Sequence, residues 1–393
     1  MNSVIVHYQE LALKGRNRPW FIERLVNNLR DVTRDLDVLQ VRPLMGRIEI
    51  TLGPDGDWPS VRERVGRVFG IANYAKAGRT KRDVDEIASM ILDDLDKEES
   101  VATTGVERFR VRASRADKSY YLTSPELERE VGGRVKQSKG WTVDLVNPDL
   151  EIRVEVLPEC VFYALNKETG QGGLPTGTSG PAMCLLSGGI DSPVAGFRLM
   201  KRGCRVHFVH FHAYPILSRT SQDKTKELAE LLAQYQLRSR LYTAPFGELQ
   251  QQVVVSAPPP LRVVLYRRLM MRIAERLAQE SGAKALITGE SVGQVASQTL
   301  ENLAVINEVV SLPVLRPLIG YDKEEITREA IRLGSYSISI IPDEDCCTLF
   351  TPKRPATKAR RADVERAESA LPITDMVEKV LALTERQDYE FPC

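Results

Sequence analysis

The 393-residue sequence has no apolar run near the roughly 18 residues needed to cross a bilayer, and its start, MNSVIVHYQE, lacks the pattern of a secretory signal. A cytoplasmic protein with no membrane partner is the expectation. An excess of one charge is also missing. Against 54 Lys and Arg stand 53 Asp and Glu, a net of +1, so a nucleic-acid partner would have to be held by local basic patches. Cysteine is sparse: of Cys160, Cys184, Cys204, Cys346, Cys347 and Cys393, only Cys346 and Cys347 are close in sequence. No Cys-x-x-Cys spacing occurs, which favours free thiols over a disulfide framework and speaks against a zinc or iron–sulfur site. No metal-ligand set is read from the chain. The Walker pattern G-x-x-x-x-G-K-[S/T] is absent too, and with it the usual signature of γ-phosphoryl transfer.

What is present is an ordinary globular composition, 42% apolar and 27% charged, long enough for two or three domains. Residues 1–58 read strand, helix, strand (VIVHY, PWFIERLVNNLRDVTRDL, RIEITL), a small α+β unit closed by the turn-rich GPDGDWPS. Residues 59–167 read as a second unit of helices and strands, with Ser124 and Pro125 opening a helix. The stretch KETGQGGLPTGTSGP leads into a third, residues 168–393, where nearly continuous apolar strands alternate with helices. That rhythm predicts α/β architecture, a doubly wound parallel sheet with helices on both faces. Past 345 the pattern turns irregular and basic, then ends in a helix near ITDMVEKVLALTER.

The strongest chemical signal is LLSGGIDSPVAG at 185–196, a buried strand running into a glycine loop and then a helix. Gly188 and Gly189 let the backbone approach an anion, while Ser187, Ser192 and the helix-start N–H groups supply donors. Asp191 repels phosphate unless a cation intervenes, so it fits a metal-orienting role better than direct contact. SGGIDS resembles the pyrophosphatase loop (PP-loop) of enzymes that form adenylated intermediates. ELALKGRNRPWF, FGIANYAKA, FRVRASRADKSYYLTSPELEREVG, TGESVGQVASQTLENL, RPLIGYDKEEI and DEDCCTLFTPKRPATKA, in that order along the chain, are similar to the tRNA 4-thiouridine synthetase (ThiI) family.

The resemblance implies a ferredoxin-like domain, a tRNA-binding THUMP domain and a PP-loop adenylating domain. It implies that ATP, with Mg²⁺, activates the 4-oxygen of uridine 8 in tRNA and that a persulfide on Cys346 then supplies sulfur, releasing AMP and pyrophosphate. An adenylate leaves where a carbonyl oxygen would not, so one hard step becomes two easier ones. By the same resemblance, nucleotide contacts fall on Leu185, Leu186, His210, Phe211, Arg267, Gly289 and Gln298. Lys323 is implied to stabilise phosphate charge, although Asp322 and Glu325 have capping-box spacing and would make it a first-turn residue in any case. Basic clusters for tRNA are Lys14, Arg16 and Arg18, then Arg110, Arg112, Arg115 and Lys118, then Lys353 to Arg361.

The chain departs from the family at HYQELALKG and AYPILSR, and it stops at Cys393, short of the rhodanese domain that several members carry. The expectation is a short form that takes sulfur from a cysteine desulfurase, with Cys204, Cys184, Cys393 or an external reductant as resolving thiol. A role in sulfur transfer to the ThiS carrier of thiamine thiazole synthesis is implied less directly. A homodimer is expected from base rates. The rival readings are a thiolase acting on another base, a tRNA-binding protein with a vestigial nucleotide site, and a non-RNA amide-forming ligase.

Overall fold

A computed structural model describes residues 1–97, 105–343 and 350–392, and the chain divides into two units, Met1–Pro175 and Thr176–Cys393. The first unit contains β1 (Ser3–His7), α1 (Arg18–Val32), β2 (Val38–Leu44), β3 (Arg47–Leu52), α2 (Trp58–Arg67), β4 (Asn73–Thr80), α3 (Val84–Lys97), β5 (Arg108–Arg115), α4 (Ser124–Lys139), β6 (Thr142–Val143), β7 (Leu150–Val156), β8 (Val161–Ala164) and β9 (Glu168–Thr169). All its strands join one sheet in the order β2-β3-β1-β4-β8-β7-β5-β6, with β9 also on β4. Strand β7, LEIRVEV, alternates buried and half-buried residues along its whole length, as a sheet covered on one face requires. Ile87, Ile91 and Leu95 of α3 and Leu127, Val131 and Val135 of α4 recur at every fourth position and pack with Phe109, Ile152 and Val154 into one core.

Two features of this unit differ from the sequence expectation. The turn-rich segment near 53–60 does not separate two sheets, because β4 pairs with β1 on one side and with β8 on the other. Residues 168–175 also belong here and not to the third domain: β9 pairs with β4, and Gly70 N–H donates to the Gly172 carbonyl. Helix α4 is capped by Thr123, not Ser124. The extended backbone of Thr123 lets its hydroxyl accept from Glu126 N–H while the Glu126 carboxylate accepts from Thr123 N–H.

The second unit follows with β10 (Pro181–Leu185), α5 (Asp191–Lys201), β11 (Arg205–His212), α6 (Thr220–Gln236), β12 (Arg238–Pro245), α7 (Gly247–Ser256), α8 (Arg262–Ser281), β13 (Leu286–Ile287), α9 (Leu300–Asn307), β14 (Val314–Leu315), α10 (Lys323–Leu333), α11 (Tyr336–Ser339), α12 (Arg361–Glu368), α13 (Ile373–Leu383) and β15 (Glu385–Glu390). Its sheet runs β14-β13-β10-β11-β12-β15, parallel except for β15. Val206 to Phe211 are all buried, as in a parallel sheet covered on both faces. Helices α5, α6 and α10 pack together, and α7, α9, α12 and α13 gather on α8. The chain steps from β10 through β11 to β12 and then returns to β13 on the other side of β10. That reversal creates a crevice beyond the carboxyl ends of the strands.

The C-terminal helix ends at Leu383, and of its expected continuation Thr384 caps it while Glu385 and Arg386 open β15, which pairs antiparallel with β12. A buried ion triad holds α12 in place. Glu368 takes both Arg268 and Arg272 on bidentate bonds of 2.7–3.0 Å. Burial alone would raise the Glu368 carboxyl, but the two guanidinium groups outweigh it and hold it down at about 2. No described helix is long and apolar enough to cross a membrane.

Candidate active site

The crevice holds a cavity of about 320 Å³. Strand β10 contributes Leu185 and leads into Leu186 and Ser187; β11 contributes Val209, His210 and Phe211; β13 leads into Thr288, Gly289 and Glu290. Every residue expected to contact nucleotide lines it, Gly189, Asp191, Ser192, Arg267 and Gln298 included, except Gly188. A Cβ added to Gly188 would instead face Lys224 and Asp343.

The loop is tied by its own serines. Ser192 Oγ accepts from Ser187 N–H at 2.9 Å and donates to the Ser187 carbonyl at 3.2 Å, and Gly189 N–H donates to Ser187 Oγ at 3.3 Å. Ile190, at the N-cap of α5, offers no side-chain acceptor, so the helix start keeps its positive end for an anion. Gly289 is required by close approach. A Cβ there would stand 2.7 Å from Ser192 N and 2.9 Å from Ser192 Cα, inside contact distance. Cys184 lies beneath the loop with its thiol toward the Ser192 carbonyl, and burial pushes its pKa up to about 12.

Asp191 sits in the first turn of α5, where the helix dipole favours its charge. Lys323 Nζ donates to Asp191 Oδ1 at 2.7 Å and Gln294 Nε2 to Oδ2 at 2.9 Å. Lys323 is also the first residue of α10, behind the Asp322–Glu325 capping box. The first-turn reading of it therefore holds, and the ammonium at that turn meets the Asp191 carboxylate. Arg198 reinforces the junction by binding Glu329 of α10 at 2.7 Å and stacking 4.0 Å over the Tyr321 ring.

Several pocket residues escaped the sequence reading. Glu290 is 2% exposed and accepts from Arg267, Arg316 and the Thr288 hydroxyl, each at 2.7 Å. Burial would raise its carboxyl, but Arg267 and Arg316 prevail and hold it below the usual range. Arg267 thus faces the cavity with one edge fixed. His210 has both ring nitrogens engaged, Nδ1 with the Leu186 carbonyl at 3.0 Å and Nε2 with Ser221 Oγ at 3.3 Å, so it braces the loop strand against α6. Gln298 Oε1 is buried at the cavity with no hydrogen-bond partner among the described residues. Of the other strand histidines, neither His207 nor His212 lines the cavity, and burial pushes His207 down to about 4. Among the described residues no group of three or more His, Cys, Asp or Glu is placed to hold a metal. Cys346 and Cys347 lie outside the described residues.

The first two of the expected RNA clusters fall in the first unit with different surroundings, and the third, Lys353 to Arg361, falls in the second unit. Arg16, Arg112 and Lys118 are exposed. Lys14 rests 5.2 Å over the Phe21 ring, and Arg18 lies against Tyr8. Arg110 is bound to Glu151 and the Leu145 carbonyl, and Arg115 to the carbonyls of Tyr120 and Leu122. These last two hold the fold, whatever else they touch.

Comparison with known proteins agrees along the whole chain. Residues 177–373 match the family model described as thiamine biosynthesis protein (ThiI), residues 3–75 the ThiI ferredoxin-like domain and residues 81–164 the THUMP domain. A Thermus thermophilus protein named "Probable tRNA sulfurtransferase" is 46% identical over 383 residues, covering 97% of this chain and 91% of the relative. One of the same name from Moorella thermoacetica is 43% identical over 380 residues, 96% and 95%. A solved 4-thiouridine synthetase, in complex with RNA and bound ATP, is 36% identical with a TM-score of 0.89 over 99% of this chain and 100% of its own. A solved Pyrococcus horikoshii protein is 26% identical with a TM-score of 0.67 over 85% of this chain. With family models matched along the chain, relatives 46% and 43% identical over nearly all of it and a solved structure of the same fold, the chain belongs to the ThiI family of tRNA sulfurtransferases.

Proposed function

We propose that this sulfurtransferase uses ATP to adenylate the 4-oxygen of uridine 8 in tRNA and then transfers sulfur from a persulfide on Cys346, giving 4-thiouridine, AMP and pyrophosphate. The observation that carries this reading is one cavity lined by Ser187, Gly189, Asp191 and Ser192 of the SGGIDS loop and by Gln298 with its unpartnered oxygen, Asp191 being held in turn by Lys323. Gln298 Oε1 is an acceptor suited to the exocyclic amine of adenine, since a buried acceptor without a donor is costly until a ligand fills it. Phe211 and Leu185 supply apolar walls, and the loop amides with the α5 N-terminus receive the phosphates.

In this reading uridine O4 attacks the α-phosphorus of ATP, pyrophosphate leaves, and the O4–phosphorus bond forms. Lys323 stabilises the charge that develops on phosphate. The terminal sulfur of the Cys346 persulfide then attacks C4 and AMP leaves with the former uridine oxygen. A second thiol breaks the remaining S–S bond, forming a disulfide with Cys346 and leaving the sulfur on the base. Cys184 and Cys204 are both buried with raised pKa values and are poor thiolates for that step, which favours Cys393 or an external reductant. One carboxylate plus substrate phosphates is the usual way Mg²⁺ is held, and Asp191 fits that part once Lys323 and Gln294 release an oxygen to it. When bound, Mg²⁺ would neutralise phosphate charge. A cysteine desulfurase as donor, transfer to ThiS and a homodimer belong to the same reading.

The test is thiolation of unmodified tRNA with ATP, Mg²⁺, a cysteine desulfurase and cysteine, read by nucleoside mass spectrometry. Wild type is expected to yield 4-thiouridine at position eight, and Cys346→Ser none. Product undiminished in Cys346→Ser would reject the persulfide assignment, and a different modified base would reject the substrate.

A further inference from the structure

Lys224 is a buried charge that the nucleotide cavity does not use. It lies on α6 with its side chain 7% exposed, and it is absent from the cavity lining. Its ammonium instead stands behind the phosphate loop: a Cβ on Gly188 would be 3.2 Å from Lys224 Cε, 3.4 Å from Nζ and 3.4 Å from Asp343 Oδ2. From there Nζ donates to the Ile341 carbonyl at 2.8 Å and pairs with Asp343 at 3.7 Å. Beside it, Ser339 Oγ donates to the Gly189 carbonyl at 3.2 Å. Residues 339–343 are thus fastened to the back of the loop, and the lysine is the central fastening. A buried ammonium persists only where carbonyl and carboxylate oxygens receive it, and here those oxygens come from this one segment.

Resting on the sulfur-transfer reading above, we propose that Lys224 is a positioning residue of that reaction. It holds residues 339–343, which precede Cys346 by three positions in sequence, against the phosphate-binding loop. The two half-reactions then depend on it unequally. Nucleotide meets the front of the loop, which its serines and glycines shape without Lys224, whereas sulfur delivery needs the segment behind.

The experiment compares wild type, Lys224→Met, Lys224→Arg and Asp343→Asn in two assays: tRNA thiolation with RNA-dependent pyrophosphate release, and amide hydrogen exchange with a non-hydrolysable ATP analogue. Lys224→Met is expected to lower kcat for 4-thiouridine at least tenfold while KM for ATP moves less than threefold and pyrophosphate release continues. Lys224→Arg should recover part of the loss, and the Lys224→Met, Asp343→Asn double variant should be no worse than Lys224→Met alone. Amides 339–343 should lose protection while those of α5 keep it. A KM for ATP raised tenfold with kcat intact would overturn the proposal and make the lysine a phosphate ligand; so would an unchanged kcat with unchanged exchange. If Lys224→Met fails to fold, Asp343→Asn carries the same split, and an unaltered kcat there overturns the proposal. Wild type that makes no 4-thiouridine would reject the preceding reading alone, and exchange at 339–343 would still decide whether Lys224 fastens the segment.

Discussion

The arginines of the two units meet carboxylates in different settings. In the first unit Arg110 binds Glu151 across neighbouring strands β5 and β7 and Arg42 binds Glu49 across β2 and β3, while Arg153 meets Glu151 within β7 and Arg47 of β3 and His7 of β1 share Glu155 of β7, all within one sheet. In the second, Arg267 and Arg316 share Glu290 and Lys323 meets Asp191, and of these Arg267, Glu290 and Asp191 line one cavity. The same chemistry serves cohesion in one place and a reactive centre in the other. What separates them is topology. A reversal in strand order leaves an open crevice at the carboxyl ends of a parallel sheet, and loops placed there point their polar groups at a ligand. The sheet of the first unit, mainly antiparallel in its pairs, lacks that reversal of parallel strands.

The predictions follow that contrast, from the largest effect to the smallest. Asp191→Ala should cut thiolation at least about a thousandfold, because it removes the carboxylate that would hold Mg²⁺ against the phosphates and that anchors the Lys323 ammonium. A residual rate within tenfold of wild type, read by nucleoside mass spectrometry, would make the Asp191–Lys323 pair as structural as those of the first unit. Gly289→Val should raise KM for ATP by two orders of magnitude or more, since its side chain would invade the Ser192 backbone. Unaltered ATP binding by calorimetry would show that the loop yields where the geometry says it cannot.

Glu368→Ala strips the buried Arg268 of its bidentate carboxylate, leaving it the Val305 carbonyl at 2.6 Å and Glu308 at 3.8 Å, and should cost about 3–5 kcal/mol in denaturant unfolding. Because the Glu368 carboxyl is held at about 2 in the folded chain, its contribution is complete above pH 4.5 and disappears as pH falls toward 2. His207 acts in a neighbouring window. Burial first, then Arg240 and Arg205, push it down to about 4, so below pH 6.5 the unfolded chain binds a proton that the folded one refuses. Stability should fall by roughly 2–3 kcal/mol between pH 6.5 and 4, and His207→Gln should flatten that slope. An unchanged slope would place the titration elsewhere. In the first unit, Arg112→Ala should weaken tRNA binding severalfold and lower its salt slope by about one, whereas Arg115→Ala should chiefly lower the melting temperature. The reverse ranking would move the RNA surface to the paired arginines.

The loop that lines the cavity was legible because at LLSGGIDS an apolar strand gives way to small and polar residues, whereas His210, Phe211, Arg267, Gly289 and Gln298 were reached through the family resemblance. Glu290 was not, although it stands in TGES directly after β13; a carboxylate after a strand reads as solvent-facing until Arg316 and Arg267 close on it. Lys224 was hidden for a related reason. SQDKTKEL has the polar look of an exposed helix start, and only the loop behind Gly188 makes the residue buried. In the fold, the parallel core was legible from its unbroken apolar strands. β15 was not, because ERQDYE is a charged edge strand without an apolar face and simply prolongs the helical pattern before it. The shared sheet of the first unit was equally silent, since β4 looks the same in sequence whether it ends one sheet or joins two.

The most direct test of the central claim follows the oxygen. A tRNA carrying ¹⁸O at the 4-position of uridine 8 is thiolated with unlabelled ATP, and the AMP formed is weighed by mass spectrometry. Activation as an adenylate predicts one ¹⁸O in the phosphate of AMP for every 4-thiouridine made. AMP without label, alongside full conversion to 4-thiouridine, would contradict adenylation of the base.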